Sequence, residues 1–158
     1  MAGGTPAAVT GRDTVRIPTA LVGARVERTA FDHQVRLVLR RTDPASAAGA
    51  VDGAGAVDAA GAVDAELVVE TPFLFRSPAG GWLGLVPGSG VSLAPVLGLF
   101  ERSITSVEVG DRGTLTLGFT DGAGLRVPPD PRFESWHLTG RGVAPVTVGP
   151  GGEEGWEP

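Results

Sequence analysis

The chain has 158 residues, 42% hydrophobic and 20% charged, which suits one soluble globular domain with a single core. Its 13 basic residues are all arginine, lie scattered, and face 18 acidic residues for a net charge of −5, so nucleic acid is not an expected partner. Cysteine and lysine are missing, which excludes disulfides, thiolate metal sites, cysteine nucleophiles, lysine-bearing phosphate loops and Schiff-base chemistry.

With 25 glycines and 13 prolines, the composition favours short strands and many turns over long helices. Residues 1–13 are small, glycine-rich and aperiodic, and are expected to form a disordered lead-in. A single β-rich domain is expected over residues 14–148, followed by a tail at 149–158. One or two short strands carry Val15, Ile17, Leu21, Val22 and Val26.

Residues 34–41 alternate, with Val35, Leu37 and Leu39 on one face and Gln34, Arg36 and Arg40 on the other. Residues 66–70 repeat the arrangement, placing Leu67 and Val69 inward and Glu66 and Glu70 outward, so Arg36 or Arg40 should face Glu66 or Glu70 across strands. Between these strands Gly-Ala-Val-Asp occurs three times, at 49–52, 55–58 and 61–64. One valine per unit is too little for a solenoid core, so residues 43–64 are read as a low-complexity expansion of a hairpin loop. The acidic spacing of Asp52, Asp58 and Asp64 is too sparse for a calcium repeat.

Phe73, Phe75, Trp82, Leu83 and Leu85 flank a turn at 77–81 and predict another hairpin. After Gly88-Ser89-Gly90 a short helix is expected, capped by Ser92, with Leu93, Val96, Leu97 and Phe100 on its buried side. Ser89 lacks the Gly-x-Ser-x-Gly frame of a nucleophile elbow and reads as a turn residue. The nearly apolar run 91–100 is about half the length needed to cross a bilayer. The opening residues lack a basic start and an apolar run, so a soluble cytoplasmic protein without membrane partners is expected.

From Ile104 a meander follows: a strand to Val109, a turn at 110–113, a strand at 114–119, an Asp121-Gly122 turn read as a two-residue hairpin loop, and a strand at 123–127. Pro128 and Pro129 stop it by removing two donors. Residues 133–138 and 143–148 resume extended structure. The two halves match: Val26, then Val35, Leu37, Leu39, then Leu67, Val69 and Phe73 against Val107, then Leu115, Leu117, Phe119, then Leu125, Val127 and Phe133. The fold class expected is mainly β, two pseudo-repeated antiparallel three-strand meanders forming a sandwich or curved sheet, with one short helix.

The candidate binding residues are Asp130, Glu134, Trp136 and His137; no catalytic or metal-ligating residue is assigned and no cofactor is implied. The best carboxylate cluster is Asp130 and Glu134, with Asp111 or Asp121 as a further member, and Asp130 and Glu134 would share a face if residues 130–134 formed a helical turn. The simpler reading has Asp130 capping that turn, Glu134 pairing with Arg126 or Arg132, and Phe133 and Trp136 anchoring the core. In an extended segment Glu134 and His137 point apart, and neither His33 nor His137 has a second ligand at zinc spacing. Trp156, in the acidic segment 153–157, is placed either to dock back on the body or to meet a partner.

Leu115, Leu117, Phe119, Asp121 and Gly122, then Pro129, Asp130, Pro131, Phe133, Glu134 and Trp136, then Pro150, Gly151, Gly152 and Trp156, together resemble the pattern of an uncharacterised actinobacterial family of small proteins, a domain of unknown function. Val69-Glu70-Thr71-Pro72-Phe73 is similar to its first-half strand. The likeness covers most of residues 14–156, with the repeat insertion as the main departure and Phe133 in place of the more usual tyrosine. The resemblance implies no assigned activity. It implies an architecture similar to small immunity proteins of bacterial toxin systems, an analogy of fold and setting. The resulting expectation is a non-enzymatic interaction module of immunity-like or regulatory character, its acidic surface meeting a basic protein partner. The alternative is a small-molecule-binding or hydrolytic protein using Asp130 and Glu134 beside Trp136.

Overall fold

The computed structural model of the protein describes residues 15–42 and 61–158. The expected lead-in and all but the last Gly-Ala-Val-Asp unit lie outside these residues. Of that last unit, Val63 and Asp64 belong to a strand and not to a loop.

Alternating apolar residues build the strands β1 (Val15–Arg16), β2 (Arg25–Phe31), β3 (Val35–Arg41), β4 (Val63–Val69), β5 (Phe73–Arg76), β6 (Trp82–Leu85), β7 (Ile104–Val109), β8 (Leu115–Phe119), β9 (Gly124–Val127), β10 (Trp136–Arg141), β11 (Val146–Val148) and β12 (Trp156–Glu157). Two five-stranded antiparallel sheets result, in the orders β11-β10-β4-β3-β2 and β6-β5-β9-β8-β7, and β12 pairs in parallel with β1. Val35, Leu37, Leu39, Leu67 and Val69 of the first sheet and Phe73, Phe75, Leu115, Leu117 and Leu125 of the second belong to one buried cluster, so the sheets pack as a sandwich. The mainly β fold expected from the sequence is the fold observed.

The halves share a topology. Each meander, β2-β3-β4 or β7-β8-β9, is followed by a hairpin that crosses to the other sheet: β5-β6 joins β9, and β10-β11 joins β4. Leu37 faces Leu67 as Leu117 faces Leu125, and Val35 faces Val69 as Leu115 faces Val127. The first strand of each meander carries an irregularity at the matching place, between Val26 and Arg28 and between Ile104 and Ser106. Val26 therefore corresponds to Ile104, not to Val107. Phe75 faces Leu125 as Leu138 faces Leu67, so Phe73, two residues before Phe75, corresponds to Trp136 and not to Phe133. Backbone bonds between the halves, Gly23 N–H to Ile104 O at 2.7 Å and Ile104 N–H to Ala24 O at 2.8 Å, tie the two meanders together.

Two local expectations change. The predicted helix is a 3-10 run, Gly90–Leu99, interrupted by a proline that cannot donate. A period of three buries Leu93, Val96 and Leu99 on one side, and leaves Leu97 and Phe100 54% and 52% exposed. The Asp121-Gly122 turn is longer than a two-residue loop, because only Gly122 has positive φ, at 88°. Gly122 N–H bonds Phe119 O and Phe119 N–H bonds Ala123 O, the pattern of a type I turn closed by a glycine bulge. Among the described residues no helix is long and apolar enough to cross a membrane.

Candidate functional site

The segment expected to hold the binding residues is a bend at 131–133 and two irregular residues, followed by β10. Asp130 folds the bend: its Oδ1 accepts from the N–H groups of Arg132 at 2.8 Å and Phe133 at 3.0 Å, a side-chain mimic of a backbone turn. Its carbonyl accepts from Gly151 N–H at 2.7 Å, so the C-terminal residues hold the bend from the other side. Asp130 is thus committed to structure. Phe133 does not anchor the core; its side chain is 64% exposed at the end of the bend. The six residues 130–135 delay the strand, which moves the inward aromatic position to Trp136.

Trp136 is fully buried. Its Nε1–H donates to Gly113 O at 2.8 Å, and its ring stacks on Trp156 with centroids 5.9 Å apart. Trp156 therefore docks on the body, and β12 places it there by pairing with β1. Both tryptophans are packing elements here, and Trp136 presents no surface to a ligand.

Glu134 and His137 were expected to point apart, and the structure brings them together. Ser135 N–H donates to Val148 O while Trp136 is already the register partner of Val148, so two residues oppose one. Such a β-bulge cancels one step of the alternation and turns Glu134 to the face of His137. Glu70, the residue after β4, completes the group. The ligand atoms of Glu70, Glu134 and His137 all lie within 4.8 Å of one another, with His137 Nδ1 3.8 Å from Glu70 Oε2. Gln34 Nε2 donates to Glu70 Oε1, and Arg36 donates to Gln34 Oε1 at 2.9 Å. The expected cross-strand pair is present as Arg36 with Glu66, at 3.9 Å.

Glu134 is exposed, His137 and Glu70 are half-buried, and no salt bridge joins Glu134 to Arg126 or Arg132 among the described residues. Asp130 is not part of the group, and Asp121 is engaged elsewhere by Arg102 at 3.2 Å. Two carboxylates and an imidazole on an open sheet face accept hydrogen bonds from a guanidinium or ammonium. They are also the ligand types of a divalent cation, but their spacing of up to 4.8 Å exceeds the about 4.2 Å that two ligands of a zinc-sized ion span. Sequence reasoning missed Glu70 because the pairing of β4 with β10 joins distant segments. The outward placement of Glu70 on its strand was the available signal.

Residues 17–157 match a family described as a family of unknown function (DUF6188). The chain belongs to that family. No curated protein and no solved structure matches it.

Proposed function

We propose that the protein is a non-enzymatic interaction module that grips a basic group of a protein partner between Glu70 and Glu134 while Phe133 provides the apolar anchor. The observation that carries this reading is Phe133, 64% exposed on a bend that two hydrogen bonds to Asp130 hold in place. An exposed aromatic side chain on an ordered backbone loses little entropy on binding, and aromatic anchors dominate interface energies. The adjacent carboxylates add directional, charge-assisted acceptors for a guanidinium or ammonium. An immunity-like or regulatory role would suit a small module that holds one protein partner through such a site. The hydrolytic alternative finds less support, since Asp130 is spent on the turn and Trp136 is enclosed.

Affinity capture from the native host tests the reading. A protein retained by the wild type should be lost from Phe133→Ser and weakened by Glu134→Gln, with unchanged melting temperatures in both variants. Equal capture by wild type and both variants would refute it.

A further inference from the structure

On the outer face of the second sheet, Trp82, Arg76 and Gly124 form one row across β6, β5 and β9. The indole reaches back over the middle strand. A Cβ built on Gly124 would sit 2.8 Å from Trp82 Cη2, so the missing side chain at Gly124 is the space the ring occupies. Over that ring lie two guanidinium groups, Arg76 Cζ at 4.9 Å and Arg126 Cζ at 4.4 Å from its centroid. Arg126 Nε also donates to Thr116 Oγ1 at 3.4 Å. All three of Arg76, Trp82 and Arg126 are half-buried, while Gly84, Ser106 and Glu108 on the same face are exposed.

Neither arginine has a carboxylate partner among the described residues, a state shared with Arg16, Arg28, Arg41 and Arg132; what sets Arg76 and Arg126 apart is that both lie over one indole ring. Two like charges over one ring repel each other. The ring quadrupole offsets part of that cost, and partial burial strengthens the offset. A guanidinium lying on an aromatic ring still offers N–H donors at its edge, in a fork that fits a carboxylate. In a chain of net charge −5, the two guanidinium groups have no carboxylate at ion-pair distance; Glu108, on the same face, lies two strands from Arg126.

We propose that the Arg76–Trp82–Arg126 cluster is a second binding surface, separate from the Phe133 bend, and that its occupant is an acidic segment of a protein, with two carboxylates on the guanidinium forks and an apolar group against the indole. The face is an open sheet and not a concavity of the kind that encloses small ligands. Tryptophan and arginine are the side chains that carry most energy in extended protein contacts. The overall negative charge opposes a polyanion as long as nucleic acid, while a short acidic segment meets the local positive field.

Fluorescence anisotropy with a labelled hexaglutamate peptide tests this. Wild-type protein should bind it and not bind hexalysine at this face. The double variant Arg76→Gln/Arg126→Gln should lose affinity by about tenfold or more, and Arg40→Gln, which removes an arginine already paired with Glu27, should change nothing. Gly124→Ala should weaken binding by displacing the indole, without altering any charge. Failure of the wild type to bind hexaglutamate, or equal binding by the double variant, would overturn the proposal. So would displacement of the peptide by inorganic phosphate or single-stranded DNA at equal charge, which would make the site a general oxyanion or nucleic-acid site. Phe133→Ser should bind hexaglutamate normally, so this outcome stands or falls apart from the Phe133 reading.

Discussion

The two sheets have the same topology and nearly interchangeable inner faces, yet their outer faces differ in kind. On the first, charges alternate in sign across strands: Arg40 meets Glu27 at 3.1 Å and Asp64 at 3.9 Å, and Arg36 meets Glu66 and Asp32. On the second, the row corresponding to Arg36, Val68 and His137 is Thr116, Arg126 and Leu74, and its one cation leans on an indole instead of on carboxylates. The inner faces are constrained by each other's shape, so their leucines and valines stay in register. Outer faces meet only solvent or a partner, so matched positions are free to acquire different chemistry. The first outer face pairs most of its charges within itself, Arg28 and Glu134 excepted, and the second pairs neither of the two cations that lie over Trp82.

The inner faces provide the largest test of this symmetry. Leu37→Ala and Leu117→Ala remove fully buried side chains at corresponding positions, and each should cost about 2–5 kcal/mol in denaturant unfolding. Similar losses would sharpen the equivalence. A negligible loss at one position would break it. A smaller effect is expected where the correspondence is imperfect. Trp136→Phe makes the position resemble its counterpart Phe73, but leaves the carbonyl of Gly113 without its donor, for about 1–3 kcal/mol. Phe73→Leu has no such polar partner to strand among the hydrogen bonds of the described residues, so its loss should be a packing loss alone.

Much of this was legible in the sequence because it is local. The alternation of Val35, Leu37 and Leu39 and that of Leu115, Leu117 and Phe119 specify strands and inner faces directly, and the match between them suggests the duplication. Asp130 as a turn-former was legible from its place between two prolines. What escaped depends on which strands become neighbours, or on one residue of register. Glu70 joins Glu134 and His137 only because the second hairpin crosses to β4, and the bulge at Ser135 reverses the facing of Glu134 without any composition signal. Leu97 and Phe100 were misplaced by assuming a period of 3.6 where the chain adopts three. The role of Gly124 is invisible until Trp82 is known to lie two strands away.

The smallest expected effect separates the two outer faces most directly. Arg40→Gln removes a cation that bridges Glu27 and Asp64, but both ion pairs are solvent-accessible, so the loss of stability should stay within about 1 kcal/mol and should fade as salt is raised. Arg126→Gln gives up the contact with the Trp82 ring and the long hydrogen bond to Thr116, but it removes a cation with no carboxylate partner and relieves its repulsion with Arg76, so it should cost less than Arg40→Gln at low salt. Added salt would screen that repulsion and shrink the relief. Opposite responses to ionic strength would mean that one face spends its arginines on its own fold while the other holds them at a small electrostatic cost, which is what a surface built for an acidic partner requires. Parallel losses for the two variants would erase the distinction, and with it the main reason for assigning the second sheet a partner.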